Sequence, residues 1–363
     1  RRVLFRSKTF LVHAVRQNWL FVKVTTDTGL TGWGEASVEA QENAVAACID
    51  TLAKRSVIGQ DPLNISKIWR QMYHQGFWRG GFIHMSAISG IDQALWDIAG
   101  KHYNVPVYML LGGNVRDKLK CYTHAQTGKE AYHLCHELGF SGVKCCYRYG
   151  RLEAALKEIR EAIGFDKELY VDQHGQLPAA KSADQMKAAA KYGVAFFEEP
   201  VGPENFEEYR LIRQNSSGLR IAAGERMYSR FDMRPLIENQ LVDYIQPDVC
   251  HCGGISEIMR IASHAETYHI MFAPHNPNGP IATAASMQVS AAAHNFALLE
   301  FWSGVLNRTD IFDLDLEITD GCFKVPTKPG LGIEIHEELL AQYPFQDTQY
   351  ICDFDEDGTV LDT

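Results

Sequence analysis

Leu169-Tyr170-Val171-Asp172-Gln173-His174-Gly175 is an apolar run that ends on a carboxylate, sets an imidazole two residues further on and breaks at a glycine. Such a run reads as a buried strand leaving a sheet at its C-terminal end. Related short apolar runs return in Gly142-Val143-Lys144, Val194-Ala195-Phe196-Phe197-Glu198 and Ile270-Met271-Phe272-Ala273. Lys144, Asp172, Glu198, Glu225, Asp248, His275 and Glu300 follow one another at intervals of 23 to 28 positions. A strand, a loop and a return helix take up about that much chain in a (β/α) barrel, where the C-terminal strand ends converge on one catalytic face. One polar residue per unit therefore predicts a ring of side chains around a single pocket.

Outside this region the rhythm is different. Leu20, Val22 and Val24 alternate into a turn at Asp27-Thr28-Gly29, and a second strand is predicted through Thr31-Gly32-Trp33-Gly34-Glu35. Ile88, Ile91, Leu95 and Ile98 then recur at helical spacing until Asn104 and Pro106 end the run. Residues 1–115 are expected to form an N-terminal α+β capping domain and residues 116–315 the barrel. Lys328-Pro329-Gly330-Leu331-Gly332 lies in a C-terminal segment, 316–363, expected to return to the cap.

Composition bounds the function. A chain of 363 residues accommodates one barrel and a smaller domain. With 46% hydrophobic and 22% charged residues it has the make-up of a soluble globular protein. A net charge of −10 opposes a nucleic-acid partner, which needs a basic surface. No apolar run reaches the ~18 residues of a membrane span. The basic tract Arg1 to Ser7 is followed by Lys8, His13 and Arg16, which interrupt any signal-like stretch, and it carries no functional weight. Nine cysteines without a Cys-x-x-Cys pair suggest reduced thiols in a cytoplasmic protein.

Asp172, Glu198 and Glu225 would each end a neighbouring strand, and three converging carboxylates suit one Mg²⁺. Acidic residues also cap helices and strand ends, but three at matched positions are harder to explain that way. Glu199 follows Glu198, and only one of them can face the pocket at a given register. The sequence does not choose between them, and Glu198 is taken as the ligand. His174 lies two residues after Asp172, on the same face of an extended strand, where an imidazole can act as a general acid. Asp248 and His275, one unit apart, are read as a carboxylate that fixes the tautomer of a general base. Glu300, in Leu298-Leu299-Glu300-Phe301-Trp302, is expected in apolar surroundings that keep it protonated and able to donate to an oxyanion. Lys144 would sit near a substrate carboxylate. These parts describe proton abstraction beside a carboxylate followed by expulsion of a neighbouring hydroxyl, which is dehydration.

The chain resembles the mandelate racemase subgroup of the enolase superfamily, and within it the galactonate dehydratases. The resemblance runs from about Trp19 to Gly332. It rests on Gly32-Trp33-Gly34-Glu35, Met85-Ser86-Ala87-Ile88, Gly90-Ile91-Asp92-Gln93-Ala94-Leu95-Trp96-Asp97-Ile98, Asp172-Gln173-His174-Gly175, Glu198-Glu199-Pro200-Val201, Ala223-Gly224-Glu225-Arg226-Met227, Gln246-Pro247-Asp248, Ala273-Pro274-His275 and Thr327-Lys328-Pro329-Gly330-Leu331-Gly332. It implies an α/β fold, a modified TIM-like (β/α) barrel of enolase type with an N-terminal α+β cap completed by the C-terminal segment. It implies one Mg²⁺ on Asp172, Glu198 and Glu225. His275, backed by Asp248, would be the base at C2, His174 the acid at the C3 hydroxyl and Glu300 the donor to the enediolate. The expected substrate is an aldonate, D-galactonate first, with D-gluconate or D-mannonate as alternatives. A homo-oligomer is expected.

The departures are specific. Racemases of the subgroup carry Lys-x-Lys where this chain has Lys144-Cys145-Cys146, so racemisation is disfavoured. Galactonate dehydratases tend to have Asn at the place of Cys146 and a longer loop than Tyr147 to Gly150 provides. His124 and Asn18 are similar to residues of the mannonate dehydratases. Asn18, Trp19, Arg79 and His124, with Lys144, are expected to bind substrate, through cap loops around Arg16-Gln17-Asn18-Trp19 and Gln75-Gly76-Phe77-Trp78-Arg79-Gly80. A zinc amidohydrolase would need an early His-x-His pair, which is absent. A family member that holds metal but turns over little stays open as the other reading.

Overall fold

The computed structural model describes residues 3–14, 17–146, 151–347, 354 and 357–360, with side chains from residue 8 onward. Arg1, Arg2, Arg16, the Tyr147 to Gly150 loop and Cys352 lie outside the described residues, as do the remaining side chains of the basic first tract.

In the cap, β1 (Val3–Ala14), β2 (Gln17–Thr26) and β3 (Thr31–Glu35) form one antiparallel sheet with β2 in the middle. Helices α1 (Glu42–Leu52), α2 (Ile65–Gln75) and α3 (Phe82–Tyr103) follow. Leu20, Val22 and Val24 of β2 pack with Ile88, Ile91 and Leu95 of α3 in one apolar cluster. The Gly-Trp-Gly of β3 has a steric cause. A Cβ on Gly32 would stand 2.1 Å from the Ala94 carbonyl oxygen, and one on Gly34 1.9 Å from that of Gly90. Glycine is what lets β3 lie directly on α3.

A short helix, α4 (Val107–Leu110), leads into eight parallel strands. These are β4 (Lys118–His124), β5 (Gly142–Cys146), β6 (Glu168–Asp172), β7 (Val194–Glu198), β8 (Arg220–Ala223), β9 (Tyr244–Ile245), β10 (Met271–Phe272) and β11 (Leu299–Glu300). They pair in the order β11-β4-β5-β6-β7-β8-β9-β10. A parallel bridge between Phe272 and Phe296 joins the last strand to the approach of the first, closing a barrel. Between them run α5 (Gly128–Tyr132), α6 (Leu152–Ile163), α7 (Ala179–Ala190), α8 (Phe206–Asn215), α9 (Arg230–Glu238), α10 (Gly254–Glu266) and α11 (Pro280–Ala292). α6 lays an apolar stripe of Leu152, Leu156, Ile159 and Ile163 on the barrel, whereas α11 is buried along its whole length.

Inside the barrel Tyr122, Tyr170, Phe196, Ala222, Ala273 and Leu298 form a separate apolar layer. Two residues further along the same strands stand His124, Asp172, Glu198, His275 and Glu300. The polar ring is therefore the next inward layer above an aromatic plug, because alternate residues share a face. On β8 the residue two beyond Ala222 is Gly224, whose φ of 137° turns the chain, so Glu225 one position later enters the ring. The interval before Asp248 is short for this reason.

Buried polar residues on α3 dock the cap. Asp92 accepts from the Ser256 amide at 2.9 Å and its hydroxyl at 2.6 Å. Gln93 donates to the carbonyls of Glu35 and Val249, and Trp96 donates to Ser256 Oγ at 2.9 Å. Asp97 accepts from the amides of Trp33 and Leu331, both at 2.9 Å. Glu35, at the end of β3, accepts from the Gly279 and Ala282 amides at the start of α11. The C-terminal segment runs back to the cap, where the Tyr343 carbonyl accepts from the His13 amide at 2.9 Å and Glu337 pairs with Lys8 and Lys23. No helix among the described residues is long and apolar enough to cross a membrane.

Candidate active site

A cavity of about 530 Å³ opens over the C-terminal strand ends, beneath the cap. His124, Lys144, Asp172, Glu225 and His275 line it from the barrel, with His174 on the loop after β6. Gln17, Asn18, Ser37, Glu39 and Phe82 close it from the cap.

Asp172 and Glu198 end adjacent, paired strands, and Glu225 follows the turn after the next one. Their nearest oxygens lie within 4.8 Å of one another. Glu198 Oε1 is buried with no hydrogen-bond partner. Burial, with Asp172 close by, pushes the Glu198 carboxyl well above its ordinary range. Three crowded carboxylates with an orphaned oxygen fit a hard divalent cation such as Mg²⁺, which takes oxygen ligands and relieves the repulsion between them. Glu199 does not compete for this place. Its φ of 37° turns the chain away from the strand, and both its oxygens face the Arg226 guanidinium, at 3.2 and 2.6 Å.

Lys144 is buried, with Nζ 2.7 Å from Glu300 Oε1, 3.0 Å from Glu198 Oε2 and 3.1 Å from Asp172 Oδ2. Burial disfavours the ammonium, but Glu198, Glu300 and Asp172 outweigh it and hold Lys144 well above the usual lysine range. This corrects the expectation for Glu300. Its oxygens receive Lys144, His124 Nε2 and, at 3.1 Å, the Asn276 amide. Against the burial, Lys144 above all holds this carboxyl well below the usual range. It is an ionised acceptor, because donors from β4 and β5, far away in sequence, converge on it.

His174 does reach the cavity, though not as strand geometry predicts. The strand stops at Asp172, and His174 has a left-handed φ of 50°. Its Nε2 lies 3.0 Å from Asp172 Oδ2 and its amide donates to Asp172 Oδ1 at 3.1 Å. The Asp172 charge raises the imidazole pKa to about 9. Arg226 Nη2 donates to the His174 carbonyl at 2.7 Å, so one guanidinium joins the loops after β6, β7 and β8.

Across the ring, four strands from β6 in a barrel of eight, stands His275 after β10. Its Nδ1 lies 2.8 Å from Asp248 Oδ2, an ionised carboxylate that also accepts from Asn278 Nδ2 at 2.8 Å and the Cys250 amide at 2.6 Å. With Nδ1 engaged there, Nε2 is the atom that faces the cavity, 3.1 Å from Glu225.

Two predicted substrate contacts lie elsewhere. Trp19 is fully buried against Phe21 and Trp302. Neighbours on a strand face opposite ways, so Asn18 lines the cavity while Trp19 enters the core. Arg79 lines a different cavity of about 600 Å³ with Arg70, Tyr73, Arg230 and Arg260. The segment before α3 passes outside the mouth, and it is Phe82, the first residue of α3, that reaches the site. Glu39, Phe82, Tyr228, His251 and Asn278 also line the cavity without having been singled out. Arg226 stood beside Glu225 in a quoted motif; the cap residues carry no periodic signal.

A model of the mandelate racemase / muconate lactonizing enzyme N-terminal domain matches residues 8–112, and one described as enolase C-terminal domain-like matches residues 126–339. The chain is 42% identical over 348 residues to a D-galactonate dehydratase of Pectobacterium atrosepticum, covering 89% of this chain and 90% of that one. Among solved structures it superposes on an enolase from Agrobacterium radiobacter, suggested to be a galactarate dehydratase and holding Na⁺ and L-malate. The TM-score is 0.91 at 31% identity, over 99% of this chain and 100% of that one. A second, described as a suggested dehydratase from Mesorhizobium loti, gives a TM-score of 0.87 at 30% identity, over 95% and 99%.

Proposed function

Since the chain belongs to the mandelate racemase / muconate lactonizing enzyme family, we propose that it is a sugar-acid dehydratase, a carbon–oxygen lyase acting on an aldonate. D-galactonate is the first substrate to try, on the strength of the Pectobacterium relative. The observation that carries the reading is the placement of two imidazoles on opposite sides of the strand ring, with Asp172 on the strand before His174 and Glu198 and Glu225 at the next two strands on the way to His275.

Asp172, Glu198 and Glu225 would hold Mg²⁺, which supplies positive charge to a substrate carboxylate and so acidifies the neighbouring C–H. Lys144 adds a second fixed positive charge beside that carboxylate. His275 Nε2 takes the C2 proton while Asp248 steadies the imidazolium that forms. His174 Nε2 gives a proton to the C3 hydroxyl, which leaves as water as the C2–C3 double bond forms. The enol then tautomerises to the 2-keto-3-deoxy acid. The Asp172 carboxylate, 3.0 Å from Nε2, favours the protonated form of His174. His124, held against Glu300, is placed for a distal hydroxyl, and Phe82 and Trp302 shield the cavity from water.

A panel of aldonic and aldaric acids incubated with the protein and Mg²⁺, assayed for 2-keto-3-deoxy product, tests the reading. Turnover is expected with D-galactonate, or with D-gluconate or D-mannonate if Cys146 in the cavity wall shifts the preferred epimer. No product from any acid would leave a metal-binding protein without this activity.

A further inference from the structure

Cys146 is the last residue of β5, and its register partner on β6 is Asp172. Strand alternation sends Cys145 outward into the apolar layer under the helices and Cys146 into the cavity. The Cys146 sulfur, an Asp172 carboxylate oxygen and a His174 ring nitrogen lie within 4.8 Å of one another. All three side chains line the same cavity, so an ion entering it has access to each.

This trio is chemically unlike the three-carboxylate site. One sulfur, one nitrogen and one oxygen suit a borderline-soft cation, whereas Mg²⁺ takes oxygen alone. Ligand atoms around a tetrahedral zinc stand about 3.3 to 3.8 Å apart, given bonds of about 2.0 to 2.3 Å. Nε2 of His174 and Oδ2 of Asp172 are already 3.0 Å apart, so small side-chain rotations of Cys146 and His174 complete the set.

The geometry points to a second metal site, formed by Cys146, Asp172 and His174, that takes Zn²⁺ and shuts the enzyme down by occupying the imidazole of His174. Zinc binds the sulfur as thiolate and its proton passes to solvent. The fourth position stays open to water. Asp172 is shared with the carboxylate site. The inhibitory half rests on the dehydratase reading, because it needs His174 as the acid; the binding half does not. Cys146 supplies the softest donor of the three, and an oxygen in its place would weaken the preference for zinc over magnesium.

Binding is tested with Co²⁺ as an absorbing stand-in for Zn²⁺, titrated into the protein in excess Mg²⁺, alongside Cys146→Ser and Cys146→Ala. The expected result is a thiolate-to-cobalt charge-transfer band in the parent protein that Zn²⁺ abolishes. Both variants lose the band and bind Zn²⁺ about 100-fold more weakly, while their Mg²⁺ affinity stays within a few-fold of the parent. No band in the parent, or an equal band in both variants, overturns the site. Turnover read in parallel separates the two ideas. A cobalt band with no product from any sugar acid removes the dehydratase reading and leaves the site. Turnover with no cobalt band does the reverse. Where product forms, micromolar-range Zn²⁺ inhibition reversed by chelator is expected in the parent and not in Cys146→Ser.

Discussion

Arg226 Nη2 donates to the carbonyl oxygen of His174 at 2.7 Å, and the same guanidinium grips both oxygens of Glu199. His174 and Glu199 both hold positive φ, each just beyond a carboxylate of the proposed metal set. Arg226 Nε donates to Glu199 Oε1 at 3.2 Å and Nη2 stands 2.6 Å from the other oxygen, a charge-assisted contact that orients what it holds. Arg226 is in this account a positioning residue for the imidazole of His174.

Replacing it tests that role. Arg226→Met is expected to lower kcat about 10- to 100-fold with a smaller change in KM, because a misplaced proton donor costs rate more than binding. The high-pH limb of the rate profile, assigned to His174, should shift, and Arg226→Lys should recover part of the loss. A lower melting temperature with an unchanged pH profile would mean that Arg226 only holds the fold.

Trp19 and Arg79 were read from sequence as substrate contacts, and the structure gives each a different task. Trp19→Ala should destabilise the protein by about 3–5 kcal/mol, as removal of a buried indole does, measured by denaturant unfolding. Arg79→Ala should leave KM for the sugar acid within about twofold of the parent. A KM rise of tenfold or more in Arg79→Ala would place that loop back over the substrate.

The cap–barrel seam carries its own pH dependence. Burial raises Glu35 from 4.5 to about 7 and Asp92 from 3.8 to about 7. Each therefore binds its proton more tightly folded than unfolded, so the stability these two groups contribute is fullest in acid and is lost as pH rises through about 7. Across that window the parent should lose stability relative to Asp92→Asn as pH rises toward 7, measured as the difference between their unfolding midpoints. An identical slope in both would show that Asp92 ionises in the fold at its ordinary pKa.

Much of the barrel was legible because Tyr170 and Asp172, or Phe196 and Glu198, sit two residues apart on one face of a strand, and that spacing survives in sequence. The cap docking was not. Asp92, Gln93 and Asp97 stood in a quoted motif, yet their partners Ser256, Val249 and Leu331 lie far along the chain. The surroundings of Glu300 were hidden for the same cause: its neighbours in sequence are apolar, its neighbours in space are Lys144 and His124. His174 was placed in the right cavity by the wrong geometry, since a left-handed turn rather than a strand delivers it.

In the proposed reaction His275 takes the C2 proton and His174 supplies the one that leaves with the C3 hydroxyl, and exchange of the C2 hydrogen in D₂O separates the two roles. Sugar acid, Mg²⁺ and variant protein are followed by proton NMR. His174→Asn should exchange C2 hydrogen with solvent while forming little 2-keto-3-deoxy product, because the base is intact and the acid is gone. His275→Asn should do neither. Exchange that persists in His275→Asn, or that vanishes in His174→Asn and survives in no variant, would contradict the assignment.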